Sequence, residues 1–538
     1  MIGAMATIRP TAALAAALAA LGTPLPGKPE AALLEQLSAR IQHVIVLYPE
    51  NRSFDNLYGY FPGANGVLQA KRAQFRQVDR DGRALAFLGQ PSQGPSMKLP
   101  PFVNEDRFGH SIAALLAPPP NGAYLANFYY DADRFVAIGD VGADPVHRFY
   151  TEQYQIGGAD DPRYGAAPPM SRFAAWSNHP ELVMGVYDAQ DLGEGRVAGE
   201  FTMCDNAFHS AFGGSFLNHF WLVSARTPVW RDRADGPAGQ DPYVRVTKFD
   251  EKGLPKIDDT TTWDGELTND RRLGRFPASN WGQSLGPEDY WAVNTLQPAQ
   301  GPAVAPPASR LPLQEFDTIG DRLTESGVTW AWFSGGWDDA KAGRASPLFQ
   351  YHHQPFAYFR RYALKSPPAQ ETAVTPAVPG GDSDGSREHL KDESVFLAAL
   401  LDGTLPQVSF VKPLGKYSGH PGQSSVVSEQ NWVADIVARI RKSEYWDKVA
   451  IFITPDENGG LWDHVEPPRV DTWGPGTRVP LIVVSPCAKR GFVDHTQYET
   501  ASILRFIELR WNLRPLNSRD AAAAAPMDCF DFGRAGDN

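Results

Sequence analysis

Six short apolar segments, each followed at once by polar or turn residues, constrain the fold of this chain more than any other feature. They begin at residues 43, 201, 328, 408, 449 and 479 and read HVIVLYPEN, FTMCDNAFH, VTWAWFSGG, VSFVKP, VAIFITPDEN and VPLIVVSP. Such runs predict buried strands. Helical patterns lie among them, namely FDTIGDRLTES, SSVVSEQNWVADIVARIRKSEYW and TASILRFIELRWN. The alternation predicts an α/β fold with a mostly parallel central sheet sandwiched by helices.

The spacing of these segments predicts one main domain over residues 40–535, carrying two insertions. Residues 229–310 interrupt the alternation with a hairpin pattern around DEKG and a Pro/Ala-rich loop. Residues 366–386 are rich in turn-forming residues and are expected to form a surface loop. The 538 residues would allow several domains, but large α/β enzymes often form a single body with insertions.

Residues 1–30 are predicted to be a signal peptide or a disordered leader. An arginine precedes an alanine- and leucine-rich stretch, which is followed by proline and glycine, as in secretory signals. No later segment reaches the ~18 consecutive apolar residues of a membrane-spanning helix. We therefore expect a periplasmic or secreted protein whose mature chain has no transmembrane segment.

Charge and cysteine content argue against two classes of function. The formal net charge is −12, and no cluster of lysine and arginine stands out, so a nucleic-acid partner is not expected. The three cysteines, Cys204, Cys487 and Cys529, form no C-x-x-C pair. Their number and spacing fit neither a disulfide framework nor a zinc site. We expect buried thiols with one bridge at most.

Carboxylate and amide side chains follow two of the predicted strands. Glu50 and Asn51 follow the first strand, and Asp456 and Glu457 follow the strand at 449. One such stretch alone is better explained as a turn or helix cap. Two stretches on parallel strands, however, meet at the same edge of a sheet. Their charges would repel without a cation, and their oxygens suit a divalent metal, so we predict a metal site there.

Histidines provide a second signal. His352 and His353 are adjacent, His420 follows the strand at 408, and His147 begins the segment HRFYTEQYQIGG. A lone histidine is more often a structural hydrogen-bonding residue than a catalyst. Several histidines beyond strand ends, close to expected metal ligands, indicate a site that binds a phosphoryl oxyanion.

The segment AFGGSFLNHFWL places two glycines directly before Ser215. Glycines permit a sharp turn and leave room for a tetrahedral phosphate, and a metal can activate a serine hydroxyl for attack on phosphorus. A plain turn serine is the alternative on local sequence. The second glycine of the G-x-S-x-G elbow is missing, which argues against an acyl-ester hydrolase. The roles of Asn218 and His219 stay open between pocket wall and structural hydrogen bonding.

Longer motifs around these residues resemble one known family. In chain order they are PENRSFDNLYGYFPGANG, FTMCDNAFHSAFGGSFLNH, QYHHQPFAYF, SGHPGQSS, PDENGGLWDHVEPP and RVPLIVVSPCAKRGFVDHTQYETASILRFIE. Together they resemble the bacterial phosphoesterase family of acid phosphatase A and the haemolytic and non-haemolytic phospholipases C, related to alkaline phosphatases. The resemblance spans residues 41–533. GGSFLNH and HHQPFAYF are more similar to the acid phosphatase branch, since the phospholipase branch typically carries a threonine in a GPTxPNR-like context.

The resemblance implies roles for particular residues. It implies one divalent metal ion (Mg²⁺, Ca²⁺ or Zn²⁺) bound by five residues, with the serine also acting as nucleophile: Glu50, Asn51, Ser215, Asp456 and Glu457. It further implies four histidines lining the phosphate pocket: His147, His352, His353 and His420. Of these, His353 or His420 is the expected acid for the leaving group. The chain departs from the family where an NGG sequence is replaced by IGG at 156–158.

The activity implied by the resemblance is that of a metal-dependent phosphatase, which hydrolyses phosphate monoesters through a phosphoserine intermediate. The main alternative is a phospholipase C acting on phosphodiesters of the phosphatidylcholine type. A third possibility, from a different class, is a non-catalytic surface binding protein on an α/β scaffold, because a fold does not fix a function.

Overall fold

The computed structural model describes residues 31–71, 144–157, 168–177, 179–230, 311–364 and 384–533, with short stretches between 75 and 125 and between 243 and 302. The predicted leader, residues 1–30, lies outside the described residues. So do residues 365–383, which make up most of the second predicted insertion.

A central sheet of nine strands organises the described part of the chain. In chain order the strands are β1 (His43–Leu47), β2 (Thr202–Phe208), β3 (Trp330–Ser334), β4 (Leu390–Asp392), β5 (Val408–Lys412), β6 (Val449–Ile453), β7 (Arg478–Val484), β8 (Phe492–Asp494) and β9 (Tyr498–Glu499). Their spatial order is β4-β3-β5-β1-β6-β7-β2-β8, and β9 also pairs with β2. Every residue of β3, β5, β6 and β7 is buried, as expected for strands covered on both faces.

Strand direction brings four strand ends to one edge of the sheet. β1 is parallel to both of its neighbours, β5 and β6. β7 is the exception, since it runs antiparallel to both β6 and β2, and its register with β2 shifts between Val479 and Leu481. Two reversals restore the original direction, so β2 runs parallel to β6. The carboxyl ends of β1, β2, β5 and β6 therefore share one edge, which is where open α/β sheets place their sites.

Helices flank this sheet. They are α1 (Ala31–Arg40), α2 (Phe54–Tyr58), α3 (Phe149–Ile156), α4 (Gly193–Glu200), α5 (Ser215–Ser224), α6 (Ile319–Glu325), α7 (Trp337–Lys341), α8 (Asp384–His389), α9 (Glu393–Asp402), α10 (Val426–Arg441), α11 (Thr500–Trp511) and α12 (Ser518–Ala522). α4 packs on α10, while α1 and α5 pack on α11. None of the helices in these described ranges combines the length and apolar character needed to cross a bilayer.

The structure confirms the predicted fold class, all six predicted strands and the three predicted helices. It corrects the account of residues 229–310, which hold more than a hairpin and a loop. Four strands there, Val229–Trp230, Tyr290–Ala292, Leu273–Arg275 and Tyr243–Arg245, form a small sheet in that spatial order. Strands of two or three residues are too short to show a periodicity. The predicted hairpin is present as the antiparallel pair Lys248–Phe249 and Pro255–Lys256.

Candidate active site

The two predicted carboxylate stretches meet at the shared strand edge. Glu50 and Asn51 follow β1, Asp456 and Glu457 follow β6, and all four side chains are fully buried. The backbone N–H of Asn51 donates to Oδ1 of Asp456 over 3.2 Å, which joins the two stretches directly. Asn51 has a φ of 58°, a left-handed conformation that asparagine tolerates better than most residues.

Ser215 lies at the start of a helix beside these carboxylates. It is the first residue of α5, preceded by Gly214 as the N-cap, and its Oγ donates to Oε1 of Glu457 over 3.4 Å. The positive end of the helix dipole therefore points at the hydroxyl. Gly213 has a φ of +88°, and a Cβ there would lie 2.4 Å from the backbone nitrogen of Phe149. The glycine before the N-cap is thus required both by conformation and by close packing.

Asn218 stabilises this glycine turn. Its Oδ1 accepts from the N–H of Ala211 over 3.1 Å. Its Nδ2 lies within 3.3 Å of the carbonyls of Ala211, Gly213 and Gly214. Every contact is to the backbone of the turn, so the role that the sequence left open for Asn218 is structural hydrogen bonding.

His219 lies one helical turn beyond Ser215 and faces the carboxylates. Its Nδ1 donates to the Ser215 carbonyl over 2.7 Å and lies 3.6 Å from Oδ2 of Asp456. Burial, reinforced by the charge of Lys412, lowers the pKa of His219 well below its ordinary value. The ring stacks on that of His353 with centroids 5.4 Å apart. His219 is therefore a neutral side chain in the wall of the site.

Lys412 is the site residue that the sequence analysis missed. It ends β5, is fully buried, and places Nζ 3.2 Å from Oε1 of Glu50 and 3.5 Å from Oδ2 of Asp456. The same ammonium donates to the carbonyl of Pro49 over 3.1 Å. The available signal was a lysine closing an otherwise apolar strand, since a lysine is almost never fully buried without a partner.

Two of the four predicted histidines contact Glu50. The Nε2 of His353 contacts Oε1 of Glu50, and the Nε2 of His420 lies 3.7 Å from Oε2. His353 ends a 3₁₀ turn over Tyr351–His353, and its carbonyl accepts from the indole of Trp332 over 2.6 Å. Both histidines are buried at the carboxyl edge, on the same side as Ser215.

The other two predicted histidines occupy different places. The Nε2 of His147 lies 3.4 Å from Oε1 of Glu457 and 3.3 Å from Nδ2 of Asn51, so His147 borders the carboxylates, and its ring centroid is 6.0 Å from that of His420. His352 packs edge-on against the rings of His219 and His353. His352 thus adjoins the histidines of the site by ring contacts.

The carboxyl groups of this edge carry more negative charge than their neighbours balance. Burial, together with the charge of Asp456, raises the pKa of Glu457 well above its ordinary value. Burial and the nearby Glu50 raise the pKa of Asp456 to about 6. Burial alone would also raise the pKa of Glu50, but the charges of His353 and Lys412 hold it well below its ordinary value.

The oxygen atoms gathered at this edge are suitable ligands for a hard divalent cation. Oε2 of Glu50 and Oδ1 of Asn51 are buried, and neither has a hydrogen-bond partner within the described residues. Buried oxygens left in this state cost free energy unless something binds them. Three carboxylates, an amide oxygen and a serine hydroxyl form an all-oxygen set of the kind that Mg²⁺ and Ca²⁺ prefer.

A second missed residue supports the loop that carries Ser215. Glu152, on α3, accepts from the N–H of Gly213 over 2.5 Å and from the N–H and hydroxyl of Thr477, each over 2.8 Å. His209 places Nε2 2.9 Å from Oε1 of the same carboxylate, while its Nδ1 donates to the carbonyl of Ala211 over 2.7 Å. Burial alone would raise the pKa of Glu152, but the contact with His209 keeps it below its ordinary value. The pair ties α3, the glycine turn and β7 together.

Comparison with known proteins identifies the family. The sequence model of the Phosphoesterase family matches residues 41–514. The chain belongs to the Phosphoesterase family. This match includes every residue of the predicted metal set and all four predicted histidines.

Two relatives carry names that state an activity. The non-hemolytic phospholipase C of Pseudomonas aeruginosa is 28% identical over 532 residues, which cover 91% of this chain and 57% of that protein. Phospholipase C A of Mycobacterium tuberculosis is 21% identical over 528 residues, covering 91% of this chain and 77% of that protein. The chain thus spans little more than half the length of the Pseudomonas protein.

Among solved structures, a protein in the alkaline phosphatase superfamily from Vibrio parahaemolyticus is 10% identical. The alignment covers 65% of each chain with a TM-score of 0.28. A similarity this slight supports no statement about the site.

Proposed function

We propose that the protein hydrolyses phosphate esters, with Ser215 as the nucleophile. The observation that carries this proposal is the position of the Ser215 hydroxyl at a helix N-terminus, 3.4 Å from Glu457 and in the same site as Oε2 of Glu50 and Oδ1 of Asn51, which are buried without a hydrogen-bond partner among the described residues. Helix N-termini favour phosphate binding because free backbone N–H groups and the helix dipole both attract an anion.

The metal ligands we propose are the oxygens of Glu50, Asn51, Ser215, Asp456 and Glu457. When bound, a divalent ion supplies charge neutralisation for the phosphoryl oxygens and lowers the pKa of the serine hydroxyl. The buried carboxylates repel one another, and a bound cation would relieve this repulsion. Lys412 orients Glu50 and Asp456 through its contacts with their carboxylates, and the backbone of the glycine turn orients Ser215.

The chain's own residues account for the proposed reaction steps. Ser215 Oγ passes its proton to Oε1 of Glu457, to which it already donates, and attacks the phosphorus; the Oγ–P bond forms while the bond from phosphorus to the leaving alkoxide breaks. His353 or His420 donates the proton that the alkoxide takes up, and His147 lines the phosphate pocket. Water then attacks the phosphoserine and gives a proton back to that histidine, the Oγ–P bond breaks, Oγ recovers its proton from Glu457, and phosphate leaves. This sequence needs no further reactant.

Phosphate monoesters are the proposed substrates, on the strength of the serine in GGSFLNH and its likeness to the acid phosphatase branch. A phosphodiester of the phosphatidylcholine type is the second candidate, because the relatives that align with 91% of the chain are named phospholipase C. We also propose a periplasmic or secreted location, which rests on the leader-like residues 1–30.

Two substrates and two serine variants test this proposal. The wild type should release p-nitrophenol from p-nitrophenyl phosphate, and Ser215→Ala should lower turnover by about 10³-fold or more. Ser224→Ala is the matched control, because this serine ends the same helix and its hydroxyl donates to the carbonyls of Phe220 over 2.7 Å and Arg226 over 3.4 Å. After acid quenching, phosphate should be recovered on the peptide that contains Ser215.

The same assay separates the rivals. Cleavage of phosphatidylcholine without cleavage of the monoester would transfer the proposal to phospholipase C. Near-normal turnover by Ser215→Ala would disprove the nucleophile assignment. No turnover of either ester, together with no bound metal on elemental analysis, would favour the non-catalytic binding protein.

A further inference from the structure

Cys204 and Cys529 are in contact inside the protein, although 325 positions separate them in the chain. Cys204 lies in β2, and Cys529 ends a 3₁₀ turn over Met527–Cys529. Their Sγ atoms are 3.5 Å apart, and both side chains are fully buried. The segment around Cys529 is docked by backbone hydrogen bonds, since its carbonyl accepts from the N–H of Lys489 over 2.9 Å.

We propose that Cys204 and Cys529 form a disulfide bond, which ties residues 527–529 to the strand that leads to Ser215. The two sulfurs need to approach from 3.5 Å to the ~2.05 Å of a disulfide. β2 ends at Phe208, shortly before the glycine turn. The bond would therefore brace the strand that positions the nucleophile. This inference does not depend on the proposed function.

The neighbouring carboxylate can tolerate the loss of a thiol. Asp494 Oδ2 accepts from the Sγ of Cys529 over 3.3 Å, and oxidation would remove that donor. The same oxygen also accepts from the hydroxyl of Tyr498 over 3.0 Å, and Oδ1 accepts from the N–H of Thr496 over 2.8 Å. Because these two bonds remain, the bridge leaves no buried carboxylate unsatisfied.

The oxidation is a thiol–disulfide exchange with a small-molecule disulfide such as oxidised glutathione. The thiolate of one cysteine attacks a sulfur of the oxidant and releases one glutathione thiolate. The second cysteine then attacks the mixed disulfide, forms the protein disulfide and releases the second thiolate. The two protein thiols lose two protons and two electrons, and the oxidant takes up both electrons.

The bridge should form as the chain folds. Burial raises the pKa of both thiols, and that of Cys529 is also raised by its contact with Cys204. Since the thiolate is the reactive species, a reduced and fully folded protein should oxidise slowly. Oxidative refolding is therefore the right experiment, and the third cysteine, Cys487, which is also buried, serves as an internal thiol standard.

The decisive measurement is a count of thiols on the full chain. The reduced, denatured protein is refolded in a mixture of oxidised and reduced glutathione, and free thiols are then titrated in denaturant. We expect one titratable thiol, carried by Cys487, and a peptide linking Cys204 to Cys529 under non-reducing conditions. Three titratable thiols would overturn the proposal. So would three thiols with stoichiometric zinc, because the ligand atoms of Cys204, Asp494 and Cys529 lie within 4.8 Å of one another.

A melting experiment measures the effect of the disulfide on thermal stability. The oxidised protein should melt about 4 °C above the reduced protein, because a bridge that closes a long loop restricts the unfolded chain. Cys487→Ser should keep this difference in melting temperature, and Cys529→Ser should abolish it. Turnover at 25 °C should stay within about twofold of wild type for both variants, since neither cysteine touches the site. An equal melting temperature for oxidised and reduced wild type would contradict the bracing role. The thiol count on the wild type stands even if a variant fails to fold.

Discussion

Two clusters of buried carboxylates lie close together in this molecule, and they differ in how their oxygens are satisfied. The first, called the catalytic cluster after its proposed role, comprises Glu50, Asn51, Asp456 and Glu457. The arginine cluster comprises Asp55, Asp463, His464 and Arg478, all of them buried. Both clusters hold groups that could bind a metal, and burial raises the pKa of Asp456 and of Asp463 to about 6 in each case.

The arginine cluster is complete without a ligand. Arg478 donates from Nε to Asp463 and from Nη2 to Asp55, each over 3.0 Å. Its Nη1 reaches the carbonyls of Asn65 and Asp205, each over 2.7 Å, and His464 lies 2.7 Å from the second oxygen of Asp55. The guanidinium occupies the position that a cation would take, so this cluster is structural.

The catalytic cluster has only one lysine for three carboxylates, and Lys412 approaches no closer than 3.2 Å. Oε2 of Glu50 and Oδ1 of Asn51 have no hydrogen-bond partner in the described part of the chain. Carboxylate number and pKa shift are therefore alike in the two clusters. The feature on which the proposed metal site rests is that buried acceptor oxygens of the catalytic cluster lack hydrogen-bond donors.

Removing the arginine should give the largest effect. Arg478→Met removes the cation that two buried carboxylates share and should lower the free energy of unfolding by about 3–5 kcal/mol. Urea denaturation measures this loss, and added divalent metal should not restore it. A loss below about 1 kcal/mol would mean that the guanidinium is not what holds this cluster together.

Metal addition should act on the catalytic cluster alone. For the wild type, a divalent ion at about 100 times its dissociation constant should raise the free energy of unfolding by about 2.7 kcal/mol. The shift in melting temperature between chelator and metal measures it. The same shift should vanish in Asp456→Asn, and persistence of the full shift in that variant would contradict the ligand set.

Replacing the aspartate of the arginine cluster should destabilise the protein by about 2 kcal/mol, with or without metal. Asp463 accepts from Arg478 Nε, and from the backbone N–H groups of Val465 over 2.8 Å and Asp55 over 3.0 Å. In Asp463→Asn the amide nitrogen would face one of these donors. Denaturation in chelator and in metal should give equal losses, and a gain in stability would refute this account.

The smallest expected effect is a gain in stability, in contrast to the losses expected for the arginine cluster. In chelator, Asp456→Asn should raise the free energy of unfolding at pH 7 by roughly 1 kcal/mol, because it removes one of the repelling buried charges. The folded-state pKa of Asp456 is about 6, above its ordinary value of 3.8. Its ionisation therefore costs stability as the pH rises through 6, and the gain should be absent at pH 4. A gain independent of pH between 4 and 7 would rule out this cause.

Much of the catalytic edge was predictable because it depends on strand ends. Apolar segments define β1 and β6, and the residues after them must meet wherever parallel strands are neighbours. Ser215 was recognised from its glycines, although its place as the first residue of a helix was not. The small sheet within residues 229–310 was missed, since its strands are too short to form a pattern.

Lys412 and Glu152 could not be identified in the same way. Lys412 closes an apolar strand and resembles any polar residue that ends one. Glu152 lies in an amphipathic helical segment, where a carboxylate normally faces solvent. Only packing shows that the first fills the gap between Glu50 and Asp456 and that the second accepts from Gly213.

The amino-acid sequence alone establishes the fold class, the sheet edge that carries the proposed site and the chemical types gathered there. These follow from hydrophobic periodicity and from which residues end each strand, both of which are local properties. The tertiary structure decided which buried charges are already paired. Asp456 and Asp463 lie seven positions apart in PDENGGLWD, yet only Asp463 reaches an arginine. Charge pairing depends on contacts between segments that are distant in the chain, and a local sequence pattern carries no information about such contacts.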